Sequence, residues 1–225
     1  MVPTYNERDN IKTLAERVFK TAKAGRLDLE LVVVDDNSPD GTAEAARKLA
    51  AKYPIKVVCR KSGRGLSSAV LEGFRHSEAE ILGVMDADLS HPPEKIPELV
   101  RALEKADFAV GSRRMAGGGV EKWPLHRRIV SAGAALLARP LAKVSDPMSG
   151  FFFLRRSVVE GKQFNPVGYK IMLEILVKAK VKKLAEVPFV FTDRARGESK
   201  LGFKVYADYL RHLASLYWHK ISSLL

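Results

Sequence analysis

The sequence predicts an α/β fold with a mostly parallel central sheet, and three observations carry that expectation. Short β-rich runs alternate with stretches of helical periodicity through the first half, the pattern of right-handed βαβ units. The runs Leu29–Val34 and Ile81–Met85 are dominated by apolar residues, as buried strands are. Both end in acid, at Asp35-Asp36 and at Asp86-Ala87-Asp88, and ligands of such sheets bind beyond the carboxyl ends of the strands.

Residues 8–24 read as the first helix: Ile11, Leu14, Ala15, Val18 and Ala22 recur at helical spacing, with Asn6 placed to cap and Asp9 in the first turn. After the strand Leu29–Val34, the turn residues of Asn37-Ser38-Pro39-Asp40-Gly41 make a loop, and a small-residue helix runs to about Lys52. Ile55–Cys59 is the next strand, with Cys59 expected as a small buried hydrophobe. A helix from Leu66 places Ala69, Val70, Gly73 and Phe74 on one face. Pro92 and Pro93 open a helix after the strand Ile81–Met85, and its buried stripe is Ile96, Leu99, Val100 and Leu103. Phe108–Val110 is a fourth strand, followed by a Gly-rich stretch over 111–124. In the second half, 125–142 and 168–180 read as helices, Gly150–Leu154 and Leu184–Phe191 as strands, and 192–202 as a polar basic loop. A last amphipathic helix over 203–221 aligns Phe203, Tyr206, Leu210, Leu213 and Tyr217. No internal repeat or long linker divides the chain, so 1–225 is expected to be one domain.

The composition narrows the function. With 225 residues and 46% apolar content the chain can bury a core, which excludes intrinsic disorder. The single cysteine excludes a disulfide framework and a multi-cysteine zinc site. Neither a secretory signal nor a spanning segment is expected from the hydropathy, which makes a cytoplasmic protein the default. Thirty-eight Lys and Arg against 26 Asp and Glu give a formal charge of +12, which suits nucleic acid, phosphorylated small molecules or an anionic membrane surface.

Gly63-Arg64-Gly65, with Asp86 about twenty residues on, imitates a dinucleotide fingerprint. Ser68 stands where the third glycine belongs and the preceding strand is not the first, so a nicotinamide enzyme is set aside. Asp86-Ala87-Asp88 is a common kind of triplet in a chain with 11 Asp, but its place at a strand end suits a hard cation between carboxylate and phosphate oxygens. His91 is either a third ligand there or a surface histidine. Arg194, Arg196 and Lys200 in the loop 192–202 either close over a pyrophosphate or are merely solvated.

Seven segments in order raise the specificity: Pro3-Thr4-Tyr5-Asn6-Glu7, residues 33–42 (VVDDNSPDGT), 65–69 (GLSSA), 85–93 (MDADLSHPP), Gly111-Ser112-Arg113, 146–152 (DPMSGFF) and 194–200 (RARGESK). The set resembles the inverting glycosyltransferases of family 2, which have the Rossmann-like GT-A fold, and within them the branch that mannosylates dolichyl phosphate. What the resemblance implies is transfer of mannose from GDP-mannose to dolichyl or another polyprenyl phosphate, with Mg²⁺ or Mn²⁺ as cofactor. It assigns Pro3, Tyr5, Glu7, Val34 and Asp36 to the guanine and ribose, and Asp86, Ala87 and Asp88 to the D-x-D element. Asp88 is then the metal carboxylate, with Asp86 as a further one. Arg113 and Arg127 face the lipid phosphate, and Lys170, Arg194 and Lys200 engage the donor phosphates. Asp88, Arg113 and Arg127 are the catalytic set. A phosphate nucleophile is already anionic near neutral pH, so no general base is needed.

Two departures stand out. Ser90 is carried over by the resemblance as a donor-binding and metal residue, but it stands where relatives have the Gln that helps ligate the metal and is shorter, leaving a gap for water or His91. Only Met1-Val2 precede Pro3 where relatives carry several apolar residues, so the first strand is expected to be nearly absent, leaving edges unpaired. The implied setting is peripheral, on the cytoplasmic face of a membrane, with a small membrane subunit as a further partner; no nucleic acid is expected. A family 2 enzyme using another donor such as UDP-glucose, and a basic nucleic-acid-binding module, are the rival readings.

Overall fold

The computed structural model describes residues 1–62, 65–121, 123–165, 167–179, 181–193 and 203–223. The expected βαβ succession is present as β1 (Val2–Thr4), α1 (Arg8–Ala24), β2 (Leu31–Asp35), α2 (Thr42–Ala50), β3 (Ile55–Cys59), α3 (Leu66–Arg75), β4 (Ile81–Val84), α4 (Ile96–Ala102) and β5 (Phe108–Ser112). The remainder is β6 (Gly119–Val120), α5 (Leu125–Ala138), β7 (Phe152–Arg155), α6 (Ile171–Lys178), β8 (Leu184–Pro188), β9 (Val190–Phe191) and α7 (Phe203–Ser222).

β1, β2 and β3 form a parallel sheet in that order, and β4-β7-β5-β8 form a second. β7 runs antiparallel to both its neighbours, while β5 and β8 are parallel. Strand alternation sends neighbouring residues to opposite sides. Thus Phe108, Val110, Phe152 and Leu154 join α3, α5, α6 and α7 in one core, while Ala109, Phe151 and Phe153 join α1 and α4 in the other. Covering both faces is what makes β2 and β5 buried along their whole length.

The first strand is present but cut to three residues, close to the expected near-absence: Val2, Pro3 and Thr4 register against Val33, Val34 and Asp35. Met1 also bridges to the second sheet: its amino group donates to the Gly83 carbonyl at 2.5 Å, and its own carbonyl accepts from Met85 N–H at 3.3 Å. At the amino end of β2 and β4 the sheets part around a cavity of about 140 Å³, lined by Val18, Leu31, Phe74, Leu82, Ile96 and Val100 among others. That is the end opposite the acidic residues, so the cavity is not their binding site.

Four local expectations need correction. Cys59 is exposed rather than buried, because β3 is an edge strand; its Sγ lies 2.9 Å from the Arg47 guanidinium. Asn6 does not cap α1; it takes a left-handed conformation (φ 60°), and its N–H donates to Ser38 Oγ. The run 184–191 splits into two strands in different sheets. On α7 the core-facing residues are Tyr209, His212, Leu213 and Leu216, whereas Tyr206 and Leu210 of the expected stripe face outward. The side chains of Phe203 and Lys204 lie outside the described residues.

Candidate active site

The strands of both sheets deliver their functional residues to one edge. Each parallel strand ends there: Thr4 at β1, Asp35-Asp36 at β2, Arg60 after β3, Met85-Asp86 after β4 and Ser112-Arg113 at β5. Such ends hold backbone groups and turns without neighbours in the sheet, which makes them natural positions for ligand-binding side chains.

The loop after β2 is organised by its own acids. Asp35, 1% exposed, accepts from Ser38 N–H and Ser38 Oγ and from Thr4 Oγ1, which ties it to β1. Burial pushes the Asp40 carboxyl up, but the bonds it accepts from Thr42 N–H and Oγ1 and from Arg8 N–H together more than offset this and hold it below the usual range. Asp36 is clamped by Arg60, whose Nε donates to Oδ1 at 2.6 Å, and by Gly65 N–H on Oδ2 at 2.9 Å. Arg60 also donates to Ser68 Oγ and the Gly65 carbonyl, so one guanidinium joins β3 to the start of α3. Gly65 sits at φ +143°, a conformation open to glycine alone. Of the residues assigned to base and ribose, Pro3 is in β1, Tyr5 follows it, and Glu7 precedes α1, accepting from Asn10 Nδ2. Val34 is fully buried and packs with Val32 and Ala69, so its side chain supports the pocket from beneath rather than lining it.

The turn after β4 is the most constrained part of the edge. Asp88 is 5% exposed, and its Oδ1 accepts from both Ser90 N–H (3.1 Å) and Ser90 Oγ (2.6 Å). Ser90 is therefore a tether for Asp88, its hydroxyl spent on that carboxylate. Leu89 between them is left-handed at φ 65°, uncommon for a residue with a side chain of this size. The Asp86 side chain is one-third exposed. His91 is not the surface histidine of the alternative reading: it is 2% exposed, its Nδ1 accepts from Asp86 N–H at 3.0 Å, and its ring is buried against Phe151. Burial lowers its pKa, opposed by the nearby Asp86 and Asp88, so the ring is neutral at pH 7.

Facing this turn are the cations. Arg113 donates to Asp146 through Nε (2.6 Å) and an Nη (2.8 Å), and Asp146 is completely buried. Burial pushes the Asp146 carboxyl up, but Arg113 more than offsets it and holds it below the usual range. Lys170, just before α6, donates to the Met148 carbonyl at 2.6 Å. Burial and Arg113 lower its pKa to about 8, against the pull of Asp86 and Asp146. Arg127 lies 4.1 Å over the Trp123 ring and pairs with Asp193 at 2.9 Å. Arg113 and Phe191 also approach that indole. Arg194 and Lys200, with Arg196, lie outside the described residues. Sequence pattern assigns no individual role to Asp146, Arg60 or Trp123. A carboxylate in an apolar stretch such as 146–152 is the kind of signal that marks a buried acid in need of a cation.

The carboxylate oxygens of Asp86 and Asp88 are the donor type a hard cation takes, with water and phosphate completing its shell; among the described residues no group of three His, Cys, Asp or Glu stands together. The family model "Glycosyl transferase family 2" matches residues 1–161. The chain belongs to that family. Curated relatives include a dolichol-phosphate mannosyltransferase of Pyrococcus furiosus, 49% identical over 96% of this chain but 62% of its own length. Proteins of the same name from Saccharomyces cerevisiae and Mycosarcoma maydis are 43% and 44% identical, over 99% and 96% of this chain and 88% and 78% of theirs. Among solved structures, mannosyl-3-phosphoglycerate synthase from Rubrobacter xylanophilus superposes with a TM-score of 0.71 at 18% identity, over 99% of this chain and 74% of that one. Glucosyl-3-phosphoglycerate synthase of Mycobacterium tuberculosis gives 0.69 at 20% identity, over 97% and 78%. At such identities the likeness of this family 2 chain to them is one of fold.

Proposed function

We propose that this chain, as one GT-A domain over 1–225, transfers mannose from GDP-mannose to dolichyl or another polyprenyl phosphate with inversion. The observation that carries the reading is the opposition of two carboxylates and two held cations: Asp86 and Asp88 at the end of β4, Arg113 and Lys170 across from them. The 43–49% identity to proteins named dolichol-phosphate mannosyltransferase supplies the sugar and acceptor class.

In this reading the donor base and ribose lie over the loops after β1 and β2, and its pyrophosphate lies toward Asp88 and Lys170. Asp88, with Asp86, would hold a Mg²⁺ or Mn²⁺, and the chemistry such an ion would supply there is neutralisation of charge on the nucleoside diphosphate leaving group; a structural neighbour of the same fold was crystallised with Mn²⁺ and UDP. A phosphate oxygen of the acceptor attacks the anomeric carbon from the face opposite the donor phosphate. The bond from that carbon to the leaving phosphate oxygen breaks, and GDP carries the electron pair away. Arg113 and Arg127 hold the acceptor phosphate; both are fixed beforehand, by Asp146 and Asp193, so little reorganisation is left for the reaction.

The faces of α5 and α7 support a setting for the acceptor. They lie together, with Tyr209 and Tyr217 hydroxyls donating to the Ala134 and Leu137 carbonyls. Their outer faces carry Leu125 (73% exposed), Ile129, Leu136, Leu210 and Trp218 (74%), interspersed with exposed Arg128, Arg139 and Arg211. Among the described residues no helix is long and apolar enough to cross a membrane. Apolar and basic side chains on one face instead suit docking onto anionic lipid, at a cytoplasmic membrane surface, where a small membrane subunit could share the site.

A panel of radiolabelled sugar nucleotides with a short polyprenyl phosphate tests the reading. Label from GDP-mannose should enter the organic phase in a metal-dependent manner. Transfer from UDP-glucose alone would replace the donor assignment, and no transfer from any donor would overturn the reading.

A further inference from the structure

His91 holds the D-x-D turn from behind. Its Nδ1 accepts from the backbone N–H of Asp86 at 3.0 Å, which fixes the tautomer with the proton on Nε2. Nε2 in turn lies 3.8 Å from Asp86 Oδ2. The ring has no freedom to leave: it is 2% exposed, stacks on Phe151 at 5.1 Å with 9° between planes, and meets the edges of Phe189 and Phe191. The segment it closes contains the left-handed Leu89 and the Asp88–Ser90 tether. A turn with such a conformation persists only where its surroundings over-determine it.

We propose that His91 is a positioning residue for the metal and donor-phosphate carboxylates, acting through its Nδ1 on the Asp86 backbone. The inference rests on the reading of residues 86–88 as the metal–pyrophosphate element. The imidazole supplies two separable things, an aromatic body that packs against Phe151 and one acceptor that pins the start of the turn. Partners that orient a metal-binding group without touching the metal typically change its affinity about 10–100-fold.

Two substitutions separate the two contributions. His91→Phe keeps the ring and removes the acceptor; His91→Asn keeps an acceptor near the Nδ1 position and removes the ring. The measurements are hydrogen exchange at the Asp86 amide, Mn²⁺ affinity in the presence of GDP by electron paramagnetic resonance, and the melting temperature. In His91→Phe, Asp86 exchange should accelerate and Mn²⁺–GDP affinity fall about tenfold or more, with the melting temperature near that of the parent. In His91→Asn, affinity should recover most of that loss although the melting temperature drops through lost packing. If instead His91→Phe binds Mn²⁺–GDP like the parent while His91→Asn does not, the ring is only a packing element and the proposal fails, leaving the metal–donor reading intact. If the parent itself shows no Mn²⁺-dependent GDP binding, that reading falls and this proposal falls with it.

Discussion

Extending the amino end of a chain that starts at Met1 should stabilise it, and do so most at mildly acidic pH. The Met1 amino group is buried between the two sheets, where desolvation, only partly opposed by Glu30, lowers its pKa from 8.0 to about 5. In the unfolded chain the group keeps its ordinary value, so between pH 5 and 8 the unfolded state binds more protons than the folded one. Stability must then rise with pH across that window. A tenfold change in proton affinity corresponds to about 1.4 kcal/mol, so the penalty for burying the amine is ~1.4 kcal/mol at pH 7 and ~3 kcal/mol at pH 5.5, vanishing above pH 8. Three added apolar residues would continue β1 between β2 and β4, replace the amine by an amide and fill the cavity of about 140 Å³. At roughly 24 cal/mol per Å³, full occupation contributes up to ~3 kcal/mol more. Urea denaturation of both chains from pH 5.5 to 8.5 measures this. The extended chain should be more stable by several kcal/mol at pH 5.5 and lack most of the slope between pH 5.5 and 8. Equal slopes in the two chains would refute the burial of the amine, and equal stabilities at pH 8.5 would refute the filling of the cavity by added strand residues.

Asp88→Ala should abolish metal-enhanced GDP binding and lower transfer by roughly a hundredfold or more, measured by calorimetry and the organic-phase assay. Lys170 is predominantly cationic at pH 7 but loses its proton around pH 8, well below an ordinary lysine. GDP affinity should therefore weaken as pH rises above about 8, up to tenfold for each further pH step of one, and Lys170→Arg should flatten that dependence; titration of GDP binding from pH 7 to 9.5 decides it. Leu210→Asp, at a position 56% exposed on α7, should reduce sedimentation with anionic vesicles about tenfold or more without changing the melting temperature. Leu213, only 5% exposed, is the wrong probe for that surface, since Leu213→Asp would put a carboxylate into the core and unfold the helix packing.

The sequence alone determined what local chemistry can encode. Strand and helix succession was legible because burial on both faces demands unbroken apolar runs and burial on one face demands helical spacing; α1 spans Arg8–Ala24, the 8–24 expected around its Ile11–Ala22 pattern. The acidic strand ends were legible for the same reason, since Asp86 and Asp88 interrupt an otherwise apolar context at a fixed topological place. Tertiary structure decided everything that depends on which distant segments meet. Asp36 finds Arg60 24 residues away, and Arg113 finds Asp146 33 residues away. His91 meets a backbone amide in an aromatic box rather than solvent, because Phe151, Phe189 and Phe191 arrive from β7, β8 and β9 or their flanks. Periodicity places Tyr206, Leu210 and Leu213 on a common helical stripe, but only docking of α7 on α5 and α6 turns Leu213 inward and leaves Leu210 outside. The three-residue first strand is held because Val2–Thr4 pair with β2 while Met1 bonds to Gly83 and Met85 at β4, and strand pairing is a property of partners that one-dimensional order does not contain.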